Sequence, residues 1–305
     1  MQPEHEPLNK DGTLQWIGTY RYYFFYVFSV LKSLGQRRYL RKTGLPSSVI
    51  AAMNYLLGLF PLALVVGLLL PHGVNWSWWL VFLLVVEGFA IGLFNKLSFR
   101  AIKRLPISHF QTLNQSSTIF VILGGWLFLG EMLSALQLIG VAFILGAAVL
   151  AAYAAKAKAR AQTIQPGTIK LVIIASIVLS IGLLAEKAAL GHMDMGAYFI
   201  FGIGSQALFV SLIALKDLNK KVWKAISHSD IRNNVVVGVL SALGGFSYLY
   251  TVNTANNIPL VVSLNSFVLP LTALGSYWLL HEREDQKKLW GSIALGVLGV
   301  CITAL

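Results

Sequence analysis

Residues 113–140 read LNQSSTIFVILGGWLFLGEMLSALQLIG, and residues 264–291 read LNSFVLPLTALGSYWLLHEREDQKKLWG. The two stretches begin with the same Leu-Asn pair, 151 positions apart, and align without a gap. Further positions identical in both copies include Gly124 and Gly275, Glu131 and Glu282, and Gly140 and Gly291. This spacing predicts an internal duplication. Because both copies are strongly apolar, the duplicated unit is predicted to be a membrane domain, and domains of this kind usually build a polar transport site between their halves.

The composition also indicates a membrane protein. The chain is 56% hydrophobic and 12% charged, with a mean hydropathy of +0.70, whereas a soluble domain carries about 25% charged residues. Apolar runs of about 20 residues predict transmembrane helices, and longer apolar runs are not expected of barrel strands. Ten such runs follow one another: 15–34, 46–70, 77–97, 107–129, 133–153, 169–190, 195–215, 233–253, 258–280 and 287–305.

The ten runs divide the chain into two halves of five. We predict a polar N-terminal tail at 1–13, a first repeat at 14–153, a basic linker at 154–168 and a second repeat at 169–305. An odd number of spans in the first repeat inserts the second with the opposite orientation. The predicted fold class is therefore all-α integral membrane, with ten transmembrane helices as two inverted five-helix repeats and a site near the midplane.

The positive charges of the chain predict its orientation in the membrane and do not suggest that it binds nucleic acid. The net charge is +12, and the connections after the even-numbered spans contain no Lys or Arg. The positive-inside rule then places the odd-numbered connections in the cytoplasm and both termini outside. The single cysteine, Cys301, excludes a disulfide within one chain, and the first span, which lacks a basic leader, is expected to be retained.

The segment 127–150 resembles the hallmark of the EamA-like branch of the drug/metabolite transporter superfamily. That hallmark ends one apolar helix in Leu-Gly-Glu, here Leu129 to Glu131, and opens the next with a Gln and a Gly, here Gln137 and Gly140. The second copy keeps the Glu and Gly but has His281 and Lys288 instead of the Gly and Gln. The resemblance implies a ten-helix transporter that exports amino acids or related metabolites. It also implies cytoplasmic termini, against the charge pattern, so orientation stays open.

Glu87 is the strongest single indication of a site. It lies about halfway through the third run, where an ionised carboxylate costs about 2.5–3.5 kcal/mol even on a lenient insertion scale. It is either a partner for a substrate ammonium group or a proton, or a structural contact between helices. For Glu186 and Lys187, near the end of the sixth run, we favour an interfacial pair in which Lys187 extends to the membrane surface.

Amide side chains occupy matching positions in the fourth and ninth runs. They are Asn114 with Gln115, and Asn265 with Ser266. They either read the polar ends of a substrate or join helices by hydrogen bonds of about 1 kcal/mol. Glu131 and Glu282 begin helices, where the helix dipole stabilises a carboxylate, so both are interpreted as structural. The complete predicted substrate-binding set is Glu87, Asn114, Gln115, Tyr248, Asn253, Asn265 and Ser266.

These observations predict a secondary transporter for a small polar organic metabolite, working by alternating access, with Pro61 and Pro270 as candidate hinges. A channel or membrane sensor on the same scaffold is the alternative, and an integral-membrane enzyme is the least favoured. No catalytic or metal motif occurs in a fitting context, so no catalytic residue, metal or cofactor is predicted. The expected partners are a small-molecule substrate and the lipid bilayer, without nucleic acid; proton coupling and a homodimer are left open. The expected location is the cell membrane, by default the bacterial cytoplasmic membrane.

Overall fold

The computed structural model describes residues 13–105, 107–156, 166–254, 258–265, 267–279 and 286–303. This part of the chain is helical, and its only strand-like feature is one isolated bridge between Val74 and Met193. Almost all of the predicted tail at 1–13 and most of the predicted linker at 154–168 lie outside the described residues.

Each predicted span coincides with a helix or with two half-helices. In the first half these are α1 (Thr13–Leu40), α2 (Ser47–Leu69), α3 (Trp78–Arg104), α4a (Ile107–Asn114), α4b (Ser116–Leu129) and α5 (Ala135–Lys156). In the second half they are α6 (Pro166–Leu190), α7 (Met195–Leu215), α8 (His228–Thr254), α9a (Ile258–Asn265), α9b (Val268–Leu279) and α10 (Gln286–Thr303). A short helix, Lys220–Ala225, precedes α8. Among the described residues, α2, α3, α6, α7 and α8 are long and apolar enough to cross a membrane, and shorter apolar helices accompany them.

The fourth and ninth spans each contain a local break, which the prediction of helices at 107–129 and 258–280 did not include. In the first half the break is the single residue Gln115, whose backbone stays in the right-handed helical region and whose N–H still bonds the Gln111 carbonyl. In the first half α4a ends at Asn114, and the Thr118 amide bonds the Gln115 carbonyl three residues earlier instead of four. In the second half α9a ends at Asn265. Pro270 lacks the N–H that would bond the residue four positions earlier, so a regular helix cannot continue through this segment. The two interruptions fall at matching positions of the duplicated sequence.

Pro61 has a related effect in α2. The five residues Tyr55–Leu59 form one π-helical turn just before it. A proline at 61 cannot donate to the carbonyl of Leu57, and a wider turn is a common response to such a gap. The turn directs Tyr55 towards the interior, where its side chain is buried.

Helix packing follows the duplication. α3 packs on α6 and α7, and the equivalent helix α8 packs on α1 and α2, while α5 and α10 pack on each other. Individual contacts repeat as well. Gly124 of α4b lies against Leu184 of α6, and Gly275 of α9b lies against Leu34 of α1. The contacts of a helix in one half are therefore reproduced by the equivalent helix of the other half, five helices away along the chain.

The outer surface is apolar, as a lipid-facing surface must be. Trp78 is 89% exposed and Phe128 80% exposed, and many Leu, Ile, Val and Phe side chains of the spanning helices share this exposure. Soluble monomers rarely expose contiguous apolar patches above a few hundred Å². The exposed Trp76, Trp78 and Trp79 at the start of α3 fit the aromatic belt at a membrane interface.

Candidate functional site

The end of α4a is held by a side chain from α6. The fully buried Ser176 hydroxyl lies 3.2 Å from Oδ1 of Asn114 and 3.0 Å from the carbonyl oxygen of Val172 in its own helix, so its one hydrogen is shared between the two acceptors. The next residue, Gln115, accepts a bond of 3.3 Å from the Thr118 hydroxyl. Both predicted amide side chains of the first half therefore lie at the helix interruption, half-buried.

The end of α9a is held in an equivalent way by α1. The Tyr26 hydroxyl donates a 3.1 Å bond to the carbonyl oxygen of Leu264, next to the half-buried Asn265. Tyr26 and Ser176 are separated by the same spacing as Leu34 and Leu184, so equivalent residues of equivalent helices hold the two helix ends. Ser266, predicted for the site, lies outside the described residues.

The two predicted site residues of α8 differ in their surroundings. Tyr248 is half-buried and its ring lies 6.2 Å from that of Phe25 of α1. Its hydroxyl is buried and has no hydrogen-bond partner among the described residues. Asn253, near the end of α8, is exposed. Of the two residues, Tyr248 is therefore the one that faces the interior of the helix bundle, towards α1.

Glu87 lies in a separate buried polar cluster. Its side chain is 0% exposed and its Oε1 accepts hydrogen bonds from the Tyr198 hydroxyl and, at 2.5 Å, from Nε2 of Gln206. Both donors belong to α7. Gly202, midway between them, leaves room for the Tyr198 ring, because a Cβ at that position would lie 2.4 Å from the ring.

Glu186 belongs to the same cluster, and this corrects the predicted interfacial pair. Glu186 is only 5% exposed, and the Tyr198 hydroxyl lies 3.1 Å from its Oε2. The neighbouring Lys187 points elsewhere and donates a 2.8 Å bond to the carbonyl oxygen of Val252 in α8. Adjacent residues on a helix face different directions, so Lys187 can be near the helix end without drawing Glu186 to the membrane surface.

The cluster extends along the bundle to α2. The Tyr55 hydroxyl donates a 3.1 Å bond to Oε1 of Gln206, and Nδ2 of Asn95 lies 3.3 Å from the Tyr55 oxygen. Four helices, α2, α3, α6 and α7, therefore share one chain of polar contacts, which we call the carboxyl cluster: Tyr55, Glu87, Asn95, Glu186, Tyr198 and Gln206.

A large open cavity lies elsewhere, at the end of the bundle between α1 and α8. Its volume is about 920 Å³ and its lining includes Arg38, Lys42, Lys221 and Arg232. It contains no residue of the predicted substrate set. In the described part of the chain, no three His, Cys, Asp or Glu side chains are placed to hold a metal ion.

Apolar helices, lipid-facing surfaces and buried polar contacts together define a polytopic α-helical integral membrane protein. Residues 27–153, most of the first half, match the EamA-like transporter family, part of the drug/metabolite transporter superfamily. The predicted resemblance is thereby confirmed. No curated protein matches the sequence significantly. A protein of known crystal structure superposes with a TM-score of 0.71 at 15% identity, covering 93% of this chain and 95% of the other, so the two share a fold.

Proposed function

We propose that the protein is a secondary transporter that moves a small polar organic metabolite by alternating access between two inverted five-helix repeats. The transporter family matched by residues 27–153 supports this class of activity. The exchange of contacts between equivalent helices supports the two-repeat arrangement. In this arrangement the substrate binds between the repeats, near the middle of the membrane.

The observation that carries the proposal is the pair of interrupted helices. α4a ends at Asn114 and α9a ends at Asn265, at matching positions of the two repeats. Interruptions of spanning helices are tolerated where the freed backbone groups line a cavity or are buried in protein. Interrupted helices at matching positions of two repeats are the best sequence indication of a transporter's binding site. Asn114, Gln115, Asn265, Ser266 and Tyr248 are the contacts proposed there.

The chemistry of these residues favours a neutral or zwitterionic substrate. Amide side chains both donate and accept hydrogen bonds, and a phenol does the same, so they suit amino and carboxyl groups on one small molecule. The fourth, eighth and ninth spans have no Lys or Arg at mid-depth, which disfavours phosphorylated substrates. Amino acids or related compounds are therefore the proposed substrates, and export is the direction that the resemblance to the EamA-like branch implies.

A thermal-stability screen of the purified protein tests the binding site. Amino acids, nucleosides, sugars, organic phosphates and cationic dyes are added in turn, because a ligand at about 100 times its Kd stabilises the folded state by roughly 2.7 kcal/mol. We expect a shift confined to amino acids and related compounds that is lost in Asn114→Ala and in Asn265→Ala. Asn75→Ala is the control, since Asn75 is exposed in the connection between α2 and α3.

Other outcomes would redirect the proposal. A shift that survives both site variants would place the binding site elsewhere. Once a ligand is known, a counterflow assay in proteoliposomes distinguishes transport from the alternatives. A transporter exchanges labelled for unlabelled substrate even without a net gradient of that substrate. Solute flux without exchange would indicate a channel, binding without flux a sensor, and conversion of the ligand to a product an enzyme.

A further inference from the structure

We propose that Glu87, Tyr198 and Glu186 form a proton-holding site in which the two carboxyl groups share one exchangeable proton, and that this proton couples transport to the pH gradient. The coupling rests on the proposed transport function, whereas the proton-holding site does not. The proposal assigns a role to Glu186 and Tyr198, which lie on α6 and α7 and face Glu87 of α3.

The number of hydrogens available to the three side chains carries the argument. The Tyr198 oxygen is within hydrogen-bond distance of both Glu87 Oε1 and Glu186 Oε2. A phenol has one hydrogen to donate, and an ionised carboxylate has none. Both contacts can be hydrogen bonds at once only if one carboxyl group is protonated and donates to the Tyr198 oxygen. Gln206 cannot supply that hydrogen to Glu186, because its Nε2 contacts are to Glu87 and to Tyr198.

The surroundings disfavour the alternative in which both groups are ionised. Glu87 is 0% and Glu186 5% exposed. In the described part of the chain, no Lys, Arg or His side chain forms an ion pair with either carboxyl group. Two like charges held this closely without a counter-ion cannot both persist in a medium of low polarity. One shared proton removes one of the charges.

The titratable groups around the pair are mostly phenols. Tyr55 of α2 adjoins Gln206, and Tyr248 of α8 interacts electrostatically with Glu186. Lys187 of α6 is directed to the Val252 carbonyl and interacts with Glu131. The pair is therefore surrounded by neutral groups on α2, α7 and α8, and its protonation is governed by its own charge and by access of water.

Glu186 is the member positioned to exchange the proton. Its Oε1 and the Tyr248 hydroxyl are both buried without a hydrogen-bond partner among the described residues, and Tyr248 belongs to the proposed substrate site. α6 also carries Ser176, which holds the end of α4a. A displacement of α6 that changes access to the substrate site therefore changes the surroundings of Glu186 as well.

The proton step is balanced by water alone. On release, the carboxyl O–H bond breaks, its electron pair stays on the carboxylate, and the proton passes to a water molecule that reaches Glu186 when the site opens. On uptake, hydronium from the other side re-forms the O–H bond. One proton then crosses per cycle, in the direction set by the pH gradient.

Infrared difference spectroscopy of the full-length purified protein tests the proton-holding site without any substrate. A protonated carboxyl group has a C=O stretch that a carboxylate lacks, and the band shifts in D2O. We expect this band in the wild type at neutral pH and its loss in Glu87→Gln and in Glu186→Gln. Glu131→Gln is the matched control and keeps the band. Absence of the band from the wild type, or its persistence in the double variant Glu87→Gln/Glu186→Gln, would overturn the proposal.

Tyr198→Phe gives a second test that removes only one oxygen atom. The ring and its packing against Gly202 remain, so this variant keeps the shape of the cluster and changes only its hydrogen bonds. Loss of the shared hydroxyl should shift the carboxyl C=O band to higher frequency, because a hydrogen bond has been removed. An unchanged band would show that the tyrosine does not bridge the two carboxyl groups.

Proteoliposomes with an imposed pH gradient test the coupling. The probe is a mixture of radiolabelled amino acids, and the quantity measured is the ratio of gradient-driven uptake to counterflow exchange. In Glu186→Gln we expect this ratio to fall to the value seen without a gradient. If the wild type shows the protonated-carboxyl band but the pH gradient does not change its transport of the probe, the coupling is overturned and the pair has only a structural role. A proton band with no exchange of any probe would instead contradict the transport function.

Discussion

Gly58 of α2 and Gly238 of α8 meet backbone to backbone. A Cβ atom at Gly58 would lie 2.6 Å from the Cα of Gly238, and a Cβ at Gly238 would lie 2.5 Å from the carbonyl oxygen of Asn54. The corresponding helices α7 and α3 meet in the same way, since a Cβ at Gly88 would lie 2.9 Å from the backbone of Ser205. Close approach through glycine is a common means of packing helices in membranes. Here it brings the carboxyl cluster and α8 into one bundle.

We expect Gly238→Ala to destabilise the protein. The added methyl group meets backbone, which cannot move aside as a flexible side chain would, and overpacking of this kind costs about 1–3 kcal/mol. The thermal midpoint in detergent, followed by intrinsic fluorescence, is the measurement. Gly245→Ala in the same helix is the control, because nothing lies within 4 Å of a Cβ there. Equal midpoints for the two variants would mean that α2 and α8 do not approach this closely.

Gly130 ends α4b with a left-handed backbone conformation, at φ 69°. Residues with a Cβ adopt this region at a cost of about 1–2 kcal/mol, so Gly130→Ala should lower the thermal midpoint. Gly130→Asn should lower it less, because asparagine tolerates this conformation better. Gly167→Ala, at another open position, controls for loss of a glycine. A midpoint for Gly130→Ala equal to that of the control would contradict the conformation.

Ser176→Ala should weaken ligand binding. The variant removes the hydrogen bond to Asn114 Oδ1, which leaves the amide free to turn away from the substrate. Loss of one such bond costs about 0.5–1.5 kcal/mol, up to about a tenfold rise in Kd. Isothermal titration with the ligand found in the thermal screen measures it. Ser211→Ala is the matched control, since the Ser211 hydroxyl bonds the carbonyl four residues earlier, at Ala207, as Ser176 does at Val172, but lacks the contact with Asn114. Unchanged affinity in Ser176→Ala would remove Asn114 from the site.

Stability should fall in acid partly through Asp217, which follows α7. The Ser48 hydroxyl donates to its carboxylate and Lys96 Nζ lies 3.4 Å away; the bond from Ser48 is the main cause that holds the pKa of Asp217 below its ordinary value. The contribution is therefore complete above the unfolded pKa of about 3.9 and is lost as the pH falls through the folded pKa. It is small, because the Asp217 side chain is 38% exposed and solvent screens it.

Ser48→Ala tests this pH dependence. The variant should show a smaller drop in thermal midpoint between about pH 5 and pH 3 than the wild type, because the bond that favours the ionised form is gone. Ser47→Ala, at the adjacent position of α2, should keep the wild-type slope. A wild-type slope in Ser48→Ala would indicate that another group governs acid unfolding.

The five long apolar helices, α2, α3, α6, α7 and α8, could be predicted from the sequence because length and hydropathy determine where a helix can cross a membrane. The matching amides Asn114 and Asn265 mark the two interrupted segments in the sequence, but they do not predict the interruption itself. Pro270 was the available signal for it in the second half. In the first half Gln115 has no proline after it, so nothing in the local sequence distinguishes an interrupted helix from a continuous one.

The carboxyl cluster could be predicted only in part. Glu87 stands out because a charge in mid-membrane is costly. Glu186 did not, because its position near a helix end and beside Lys187 is also typical of an interfacial pair. Its burial depends on how α6 rotates against α3 and α7, which a single sequence does not specify. Tyr198, Gly202 and Gln206, spaced four residues apart on one face of α7, were the signal that could have indicated a polar partner for Glu87.

The pairing of α5 with α10 has a consequence for how the protein is made. α10 is the most extensive packing partner of α5 and leaves the ribosome well after it, because the whole of α6 to α9 lies between them. α1 depends in the same way on α8, which also belongs to the later half. α5 and α1 are therefore made before these partners exist, and their packing faces contact lipid until α10 and α8 have been synthesised. Premature termination within α10 would leave α5 without that partner and make the truncated chain a target for membrane quality control.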